Sequence, residues 1–132
     1  MVANLPFDGT NAILRHLLDR PDVPLERADL VVEWGVAVKR ALPWPSTAAG
    51  VLWGARYRFA LARRLPANVF EPRPSVDAGV LTIERRAEPL VSLRDWEAYR
   101  AFVTRGFRHG RHGGSVPREL DAHQWAALFR RG

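Results

Sequence analysis

Hydrophobic residues recur with helical spacing near the start of this chain and with strand spacing farther along. Within residues 11–20 the apolar positions predict an amphipathic helix that ends before Pro21. These positions are Ile13, Leu14, Leu17 and Leu18. Residues 57–65 and 76–86 alternate instead, which predicts two strands, the second of them largely buried. The β-branched run within residues 28–34 is typical of an interior parallel strand.

Short elements fill the rest of the first two thirds of the chain. Residues 1–7 are apolar apart from Asn4, which is the pattern of the end of a buried strand. Residues 8–10 then predict a turn that can cap a helix. Two further helices are predicted at residues 36–42 and 46–56, because prolines separate them.

After Pro89 the pattern becomes that of a small helical unit. Residues 92–95 resemble a capping box, and apolar residues follow at helical spacing. They are Trp96, Tyr99, Phe102 and Val103. Residues 105–114 are glycine-rich and basic, which predicts a loop, and residues 121–124 open a last helix. The expected organisation is an α/β domain over residues 1–87 and a small helical domain over residues 88–132.

Composition excludes several classes of protein. The chain has 132 residues, of which 47% are hydrophobic and 26% charged, so it is expected to fold as one globular unit of ordinary size. With no cysteine it has no disulfide framework, thiolate zinc site, iron–sulfur cluster or cysteine nucleophile. The longest uncharged run, residues 41–55, contains two prolines, so no membrane span is expected. Nothing at the start predicts a secretory signal, and the expected location is the cytoplasm.

The positive charge is concentrated in the last third of the chain. Residues 1–84 hold 10 basic and 9 acidic side chains, whereas residues 85–132 hold 10 and 5. All but one of the basic residues are arginines, which suit bidentate phosphate contacts, so nucleic acid is one expected partner. Arg105, Arg108 and Arg111 stand among glycines and Phe107, as in segments that bind RNA. A coding bias toward arginine and a solvated linker are the alternatives.

The clearest candidate for chemistry is Asn4-Leu5-Pro6-Phe7. It follows a predicted strand, and open α/β sheets bind their ligands just past the carboxyl ends of their strands. The Asn4 amide oxygen and the Leu5 carbonyl can accept hydrogen bonds from an exocyclic amine of a nucleobase, and Phe7 can stack on its ring. No glycine-rich dinucleotide or phosphate loop is present in the sequence.

These residues, together with a second motif, resemble a known family. Asn4-Leu5-Pro6-Phe7, the strand at residues 28–34 and the segment Phe70-Glu71-Pro72-Arg73-Pro74-Ser75-Val76-Asp77 occur in the same order in the ribosomal RNA adenine-N6 methyltransferases. That family includes the Erm resistance methylases and the KsgA dimethylases. Residues 80–90 and the final segment at 124–129 resemble the Erm branch more than the KsgA branch.

The resemblance implies the C-terminal half of a Rossmann-like class I methyltransferase sheet, followed by a small helical RNA-binding domain. It implies S-adenosylmethionine (SAM) as cofactor and ribosomal RNA as partner, with 23S rRNA preferred. Asn4, Leu5, Pro6 and Phe7 would form the catalytic motif, and Asn4 would also touch the cofactor. Phe7 and Phe70 would enclose the flipped target adenine.

The chain also departs from the family. Members carry about a hundred residues before the first motif, including the glycine-rich SAM loop, so a truncated form that binds SAM poorly alone is expected. If the family's strand order 3-2-1-4-5-7-6 holds, the chain supplies strands 4 to 7. A KsgA-like 16S rRNA dimethyladenosine transferase fragment and a non-catalytic RNA-binding remnant are the alternatives. His16, His109, His112 and His123 lack the spacing of metal ligands, so no metal site is expected.

Overall fold

The computed structural model describes residues 2–4, 9–19, 25–45, 47–69, 72, 76–109 and 119–131. Its strands are β1 (Val2–Asn4), β2 (Arg27–Glu33), β3 (Tyr57–Leu65) and β4 (Ala78–Arg85). Its helices are α1 (Thr10–Leu18), α2 (Trp34–Ala41), α3 (Ala48–Arg56), α4 (Trp96–His109) and α5 (Ala122–Arg131). Short 3-10 turns occupy Ala67–Val69 and Leu93–Asp95. The predicted α/β organisation is confirmed.

The four strands form one mixed sheet in the order β1-β2-β4-β3. β1 runs parallel to β2, with Asn4 opposite Val31, whereas β4 is antiparallel to both β2 and β3. In the family's numbering of strands this order is 4-5-7-6, as expected from the resemblance. β2 is therefore an interior strand as predicted, but only one of its two neighbours is parallel to it.

One hydrophobic core lies between the sheet and the helices α1 and α2. It contains the helical residues predicted from the spacing, Leu14 and Leu18, both fully buried, with Ile13 and Leu17 packed against it. On β2 the buried residues alternate with more exposed ones, as a strand with one face on the core requires. Gly79 of β4 lets α2 lie close to the sheet, since a β-carbon there would be 2.8 Å from the Cβ of Ala37.

A second core joins α3, α4 and α5. Trp96, Tyr99, Val103 and Trp125 are buried in it, so the two tryptophans are core residues and not exposed stacking platforms. α3 contributes to both cores: Val51 and Ala55 face the second, and Trp53 of the same helix faces the first. The division of the chain at residue 87 stays a prediction.

Some helices are capped by the residues that the sequence predicts, and one is not. Asp121 and Gln124 exchange backbone-to-side-chain hydrogen bonds of 2.8 Å, which form the capping box of α5. At the start of α1, Gly9 is the N-cap with a φ of 81°, a left-handed conformation that glycine adopts without strain. Ser92 is the N-cap of the 3-10 turn that precedes α4, but its hydroxyl donates to the Asp95 carboxylate and makes no cap bond to the backbone.

The predicted loop at residues 105–114 is wrong for its first part, because α4 continues to His109. The physical reason is a tertiary contact: the ring of Phe107 stacks on Trp125 of α5 with centroids 5.4 Å apart. Burial of that ring stabilises the last turn of α4 in spite of Gly106.

Among the described residues, no helix combines the length and the apolar composition that crossing a bilayer requires.

Candidate functional site

The ends of three strands and the start of the fourth meet at one edge of the sheet. β1 ends at Asn4 and β2 at Glu33, and these two strands are parallel. Because β4 is antiparallel to its neighbours, its first residue, Ala78, pairs with Glu33 on one side and with Leu65, the last residue of β3, on the other. We call this the carboxyl edge, and in open α/β sheets it is where ligands bind.

The backbone of Asn4 lies at the carboxyl edge, where the motif predicts it. The side chain of Asn4 and the whole of Leu5, Pro6 and Phe7 lie outside the described residues, and so does Phe70. The roles expected for these five residues in binding and stacking an adenine therefore stay predictions.

Asp77 connects three elements at the carboxyl edge. Its carboxylate accepts hydrogen bonds from Arg64 at the end of β3, with nitrogen–oxygen distances of 2.8 and 3.0 Å. The same carboxylate accepts a 2.8 Å bond from the backbone N–H of Ala67, at the start of the 3-10 turn. The backbone carbonyl of Asp77 accepts a 2.9 Å bond from the N–H of Trp34, the first residue of α2. One residue thus fixes β3, the 3-10 turn and α2 relative to one another.

Arg64 also stacks on an aromatic ring at this edge. Its guanidinium carbon lies 4.6 Å from the ring centroid of Trp34, within the range of a cation–π interaction. The stacked guanidinium and the bond to Asp77 hold the Arg64 side chain in one place. The carboxyl edge therefore presents an ordered indole–guanidinium–carboxylate group beside the end of β2.

The 3-10 turn matters because Phe70 follows it directly in the sequence. The turn spans Ala67–Val69 and is closed by a 3.1 Å bond from the N–H of Val69 to the carbonyl of Pro66. Since Asp77 bonds the first residue of the turn, it fixes the point from which the chain proceeds to Phe70. The sequence alone assigned no role to Trp34, Arg64 or Asp77. Trp34 and Asp77 stood within segments that resemble the family, whereas Arg64 stood in none.

Two cavities among the described residues have volumes of about 260 and 200 Å³, and neither of these two is lined by a residue of β1. Asn4 is the residue expected to touch the cofactor, and its backbone lies at the carboxyl edge. The contact between Asn4 and SAM stays a prediction.

Arg105 and Arg108 lie on the last turns of α4, both exposed. Their spacing of three residues puts them on neighbouring positions of one helix face. Phe107 packs against Trp125 and does not serve as an exposed stacking platform, which corrects the expectation for this segment. Arg111 lies outside the described residues.

The histidines do not come together in the described part of the chain. His16 is exposed on α1 and His123 is exposed on α5. The side chain of His109 and the whole of His112 lie outside the described residues. Within the described ranges, no group of three or more histidine, cysteine or acidic side chains is placed to hold a metal ion.

The chain is similar to a family model and to several known proteins. Residues 1–113 match the family model described as "Ribosomal RNA adenine dimethylase". A relative from Corynebacterium diphtheriae named rRNA adenine N-6-methyltransferase is 37% identical over 119 residues, covering 89% of this chain and 46% of that protein. The mycinamicin-resistance protein MyrB of Micromonospora griseorubida is 31% identical over 155 aligned positions, covering 98% and 49%. The ribosomal RNA small subunit methyltransferase A of Streptococcus uberis is 32% identical over 114 residues, covering 84% and 39%.

The fold is also that of solved structures. The crystal structure of the 23S rRNA methyltransferase ErmE superposes with a TM-score of 0.78 at 24% sequence identity, covering 98% of this chain and 63% of that one. A dimethyladenosine transferase from Plasmodium falciparum gives a TM-score of 0.64 at 14% identity, covering 83% and 40%. The chain spans about half the length of the first two curated relatives, 46% and 49%.

Proposed function

Since the chain belongs to the ribosomal RNA adenine dimethylase family, we propose that it acts in SAM-dependent N6-methylation of an adenine in ribosomal RNA. The observation that carries this proposal is the position of Asn4 at the carboxyl end of β1, on the edge where such sheets bind ligands. The family match covers that motif and the segment from Phe70 to Asp77.

In this proposal the Asn4–Phe7 motif acts on the exocyclic amine of the adenine. The lone pair of that amine is delocalised into the ring, which makes it a weak nucleophile. Two acceptors, the Asn4 amide oxygen and the Leu5 carbonyl, bind its two hydrogens and leave the lone pair free to attack. Pro6 has no N–H, and its ring restricts the backbone directly after the Leu5 carbonyl. Asn4 is the proposed contact of SAM in this chain. When bound, SAM would supply the methyl group and leave as S-adenosylhomocysteine, and the amine would lose one proton to water.

Phe7 and Phe70 are the proposed stacking partners of the flipped base. Extracting a base from its stack costs a few kcal/mol, and stacking on aromatic rings returns about 1–3 kcal/mol per base. The contacts of Asp77 support this role for Phe70, because they fix the 3-10 turn that leads to it.

We assign the substrate to 23S rRNA, as in the Erm methylases. The similarity to MyrB covers 98% of this chain and that to ErmE covers 98%, whereas that to the small-subunit methyltransferase covers 84%. That small-subunit relative supports 16S rRNA as the alternative. By the same proposal the protein works in the cytoplasm beside the ribosome, and residues 88–132 hold RNA through Arg105, Arg108 and Arg111.

The function is tested by methylation of rRNA in vitro. The protein, in the form that its gene encodes, is incubated with radiolabelled SAM and separate 23S and 16S transcripts. Mass spectrometry then locates N6-methyladenine. We expect methylation of 23S rRNA by the gene product; methylation of 16S rRNA alone would establish the alternative, and methylation of neither RNA would overturn the proposed function.

Variants in the same assay test the site. Asn4→Ala and Phe70→Ala are each expected to reduce methyl transfer at least about tenfold, which corresponds to roughly 1.4 kcal/mol of lost transition-state stabilisation. Val69→Ala is the matched control, since Val69 is exposed and precedes Phe70. Near-normal activity of both site variants would refute the assignment. Arg105→Gln/Arg108→Gln is expected to raise the RNA concentration needed for half-maximal rate.

A further inference from the structure

Among the described residues, a cavity of about 260 Å³ lies at the end of the sheet opposite to the carboxyl edge. Its lining includes Tyr57 and Arg58 from the start of β3, Arg86 just after β4, and Lys39 and Arg40 near the end of α2. β2 has seven residues, so about 20 Å separate the two ends of the sheet at the usual rise per residue. We call this the basic cavity.

The basic cavity carries four cationic side chains and no acidic one. Lys39 and Arg58 are exposed, whereas Arg40 and Arg86 are partly buried. None of the four forms an ion pair with a carboxylate of the described residues. Asp121 is next in sequence to the lining residue Ala122, and its carboxylate accepts the N–H of Gln124.

The hydrogen bonds of the two partly buried guanidinium groups go to neutral oxygens. Arg40 donates to the neutral oxygens of Thr47, at 3.4 Å, and Asn11, at 3.0 Å, and stacks on the ring of Trp53 at 4.8 Å. Its Nε atom is buried and has no partner among the described residues. Arg86 donates its Nε–H to the carbonyl of Gly54 at 2.9 Å.

Like charges also lie near the two guanidinium groups. Burial, and then the neighbouring Arg15, lower the pKa of Arg40 below its usual value. Burial, and then Arg58, lower the pKa of Arg86 in the same way. Arginine stays charged at neutral pH, so the cavity holds concentrated positive charge that a bound anion would stabilise.

We infer that the basic cavity binds a phosphodiester group of the RNA backbone, at a distance from the methylated adenine. Arginine guanidinium groups match phosphate oxygens in a bidentate geometry, and the lysine adds a point charge. At about 260 Å³ the cavity has room for a phosphate group. Trp53 and Tyr57 form aromatic walls, and the buried hydroxyl of Tyr57 has no partner among the described residues. This inference rests on the proposed function for the identity of the anion as RNA.

The test pairs a cavity variant with a control of equal charge. Lys39→Gln/Arg58→Gln changes two exposed side chains of the cavity. Arg63→Gln/Arg94→Gln removes the same charge from exposed positions that do not line it. Two-dimensional amide NMR spectra of the unmodified chain and of the two variants are compared to check that each variant keeps the fold.

Binding of a fluorescein-labelled single-stranded RNA is measured by anisotropy over a range of salt concentrations. We expect the cavity variant to bind at least about fivefold more weakly than the control. The slope of log K against log salt is expected to be shallower by about 0.7, which is the counterion release of one single-strand phosphate contact. Equal affinity and equal slope in the two variants would overturn the inference, even where the methylation assay succeeds.

Titration with inorganic phosphate distinguishes an RNA phosphodiester from a free phosphate ion as the ligand of the basic cavity. At ionic strength matched with chloride, phosphate is expected to move the amide signals of Gly54 and Arg58 in the unmodified chain and not in the cavity variant, and RNA is expected to displace it. Signals that move with phosphate but are unaffected by RNA would identify a free-anion site and overturn the RNA assignment. Signals that move with neither probe would overturn the site. A failed methylation assay with these binding results intact would reject the proposed function and leave the phosphate site.

Discussion

Adding a single methyl group to Gly79 tests how closely α2 must pack on the sheet. A β-carbon at this position would lie 2.8 Å from the Cβ of Ala37, 3.1 Å from the Cε3 of Trp34 and 3.3 Å from the Cδ1 of Leu61. The first distance is shorter than any normal carbon–carbon contact, and Ala37 has no rotatable side chain to move away. Gly79→Ala therefore forces α2 away from β4.

The expected cost combines two opposing effects. Overpacking of a core typically destabilises by about 1–3 kcal/mol. Replacing glycine reduces the entropy of the unfolded chain and returns about 0.4–1 kcal/mol. The expected net loss in the free energy of unfolding is about 1–2 kcal/mol. With a urea m-value of about 2 kcal/mol per molar, the midpoint of urea unfolding followed by circular dichroism falls by about 0.5–1 M.

Two further variants make the test specific. Gly35→Ala adds the same methyl group on α2, where its nearest neighbour would be a Glu33 oxygen at 3.9 Å, so we expect no loss of stability. Ala37→Gly removes the opposing methyl group at a cost of about 1 kcal/mol in the helix, and in that background Gly79→Ala is expected to cost much less. If Gly79→Ala costs the same with and without the Ala37 methyl group, the close contact is not the cause and the reasoning is refuted.

Two hydrogen-bonded side chains yield further predictions. Trp53→Phe removes the 2.7 Å bond from the indole N–H to the Asp19 carboxylate while keeping an aromatic ring, and is expected to cost about 1–3 kcal/mol in urea unfolding; an unchanged midpoint would contradict it. Hydrogen bonds from Arg27 and then Thr82 lower the pKa of Asp29 below its usual value of 3.8. The ionised carboxylate therefore stabilises the fold above about pH 4, and this stabilisation is lost as the pH falls through the pKa of Asp29 in the folded protein. Asp29→Asn is therefore expected to flatten the acid side of the stability–pH curve, and an unaltered acid side would count against it.

The secondary structure was predictable where the local pattern alone determined it. β3 spans the residues that its alternation indicates, Tyr57–Leu65, although a bulge between Leu61 and Arg63 interrupts the register. The end of α4 was not predictable in the same way. Glycine and arginine around residue 106 favour a loop locally, and the stacking of Phe107 on Trp125 that extends the helix joins residues 18 positions apart.

The same distinction between local and long-range features applies to the candidate site. The motif at Asn4 was identified because four consecutive residues carry its chemistry, and the sheet puts the backbone of Asn4 at the carboxyl edge. The group formed by Trp34, Arg64 and Asp77 has no local sequence pattern. It is assembled by the antiparallel pairing of β4 with both neighbours, which brings residues 13 and 43 positions away to Asp77.

The two proposed ligand sites depend on each other through α2 and β4. α2 begins with Trp34 at the carboxyl edge and carries Arg40 to the basic cavity, while β4 begins beside Asp77 and leads to Arg86. A β-carbon at Gly79 of β4 would lie 2.8 Å from the Cβ of Ala37 of α2, so the packing of this helix on this strand affects both ends together. A displacement of α2 by Gly79→Ala would move Trp34 relative to Asp77 and Arg40 relative to Arg86. If both sites act on one RNA, that substitution weakens RNA binding and lowers methyl transfer together, although it touches neither site's ligand.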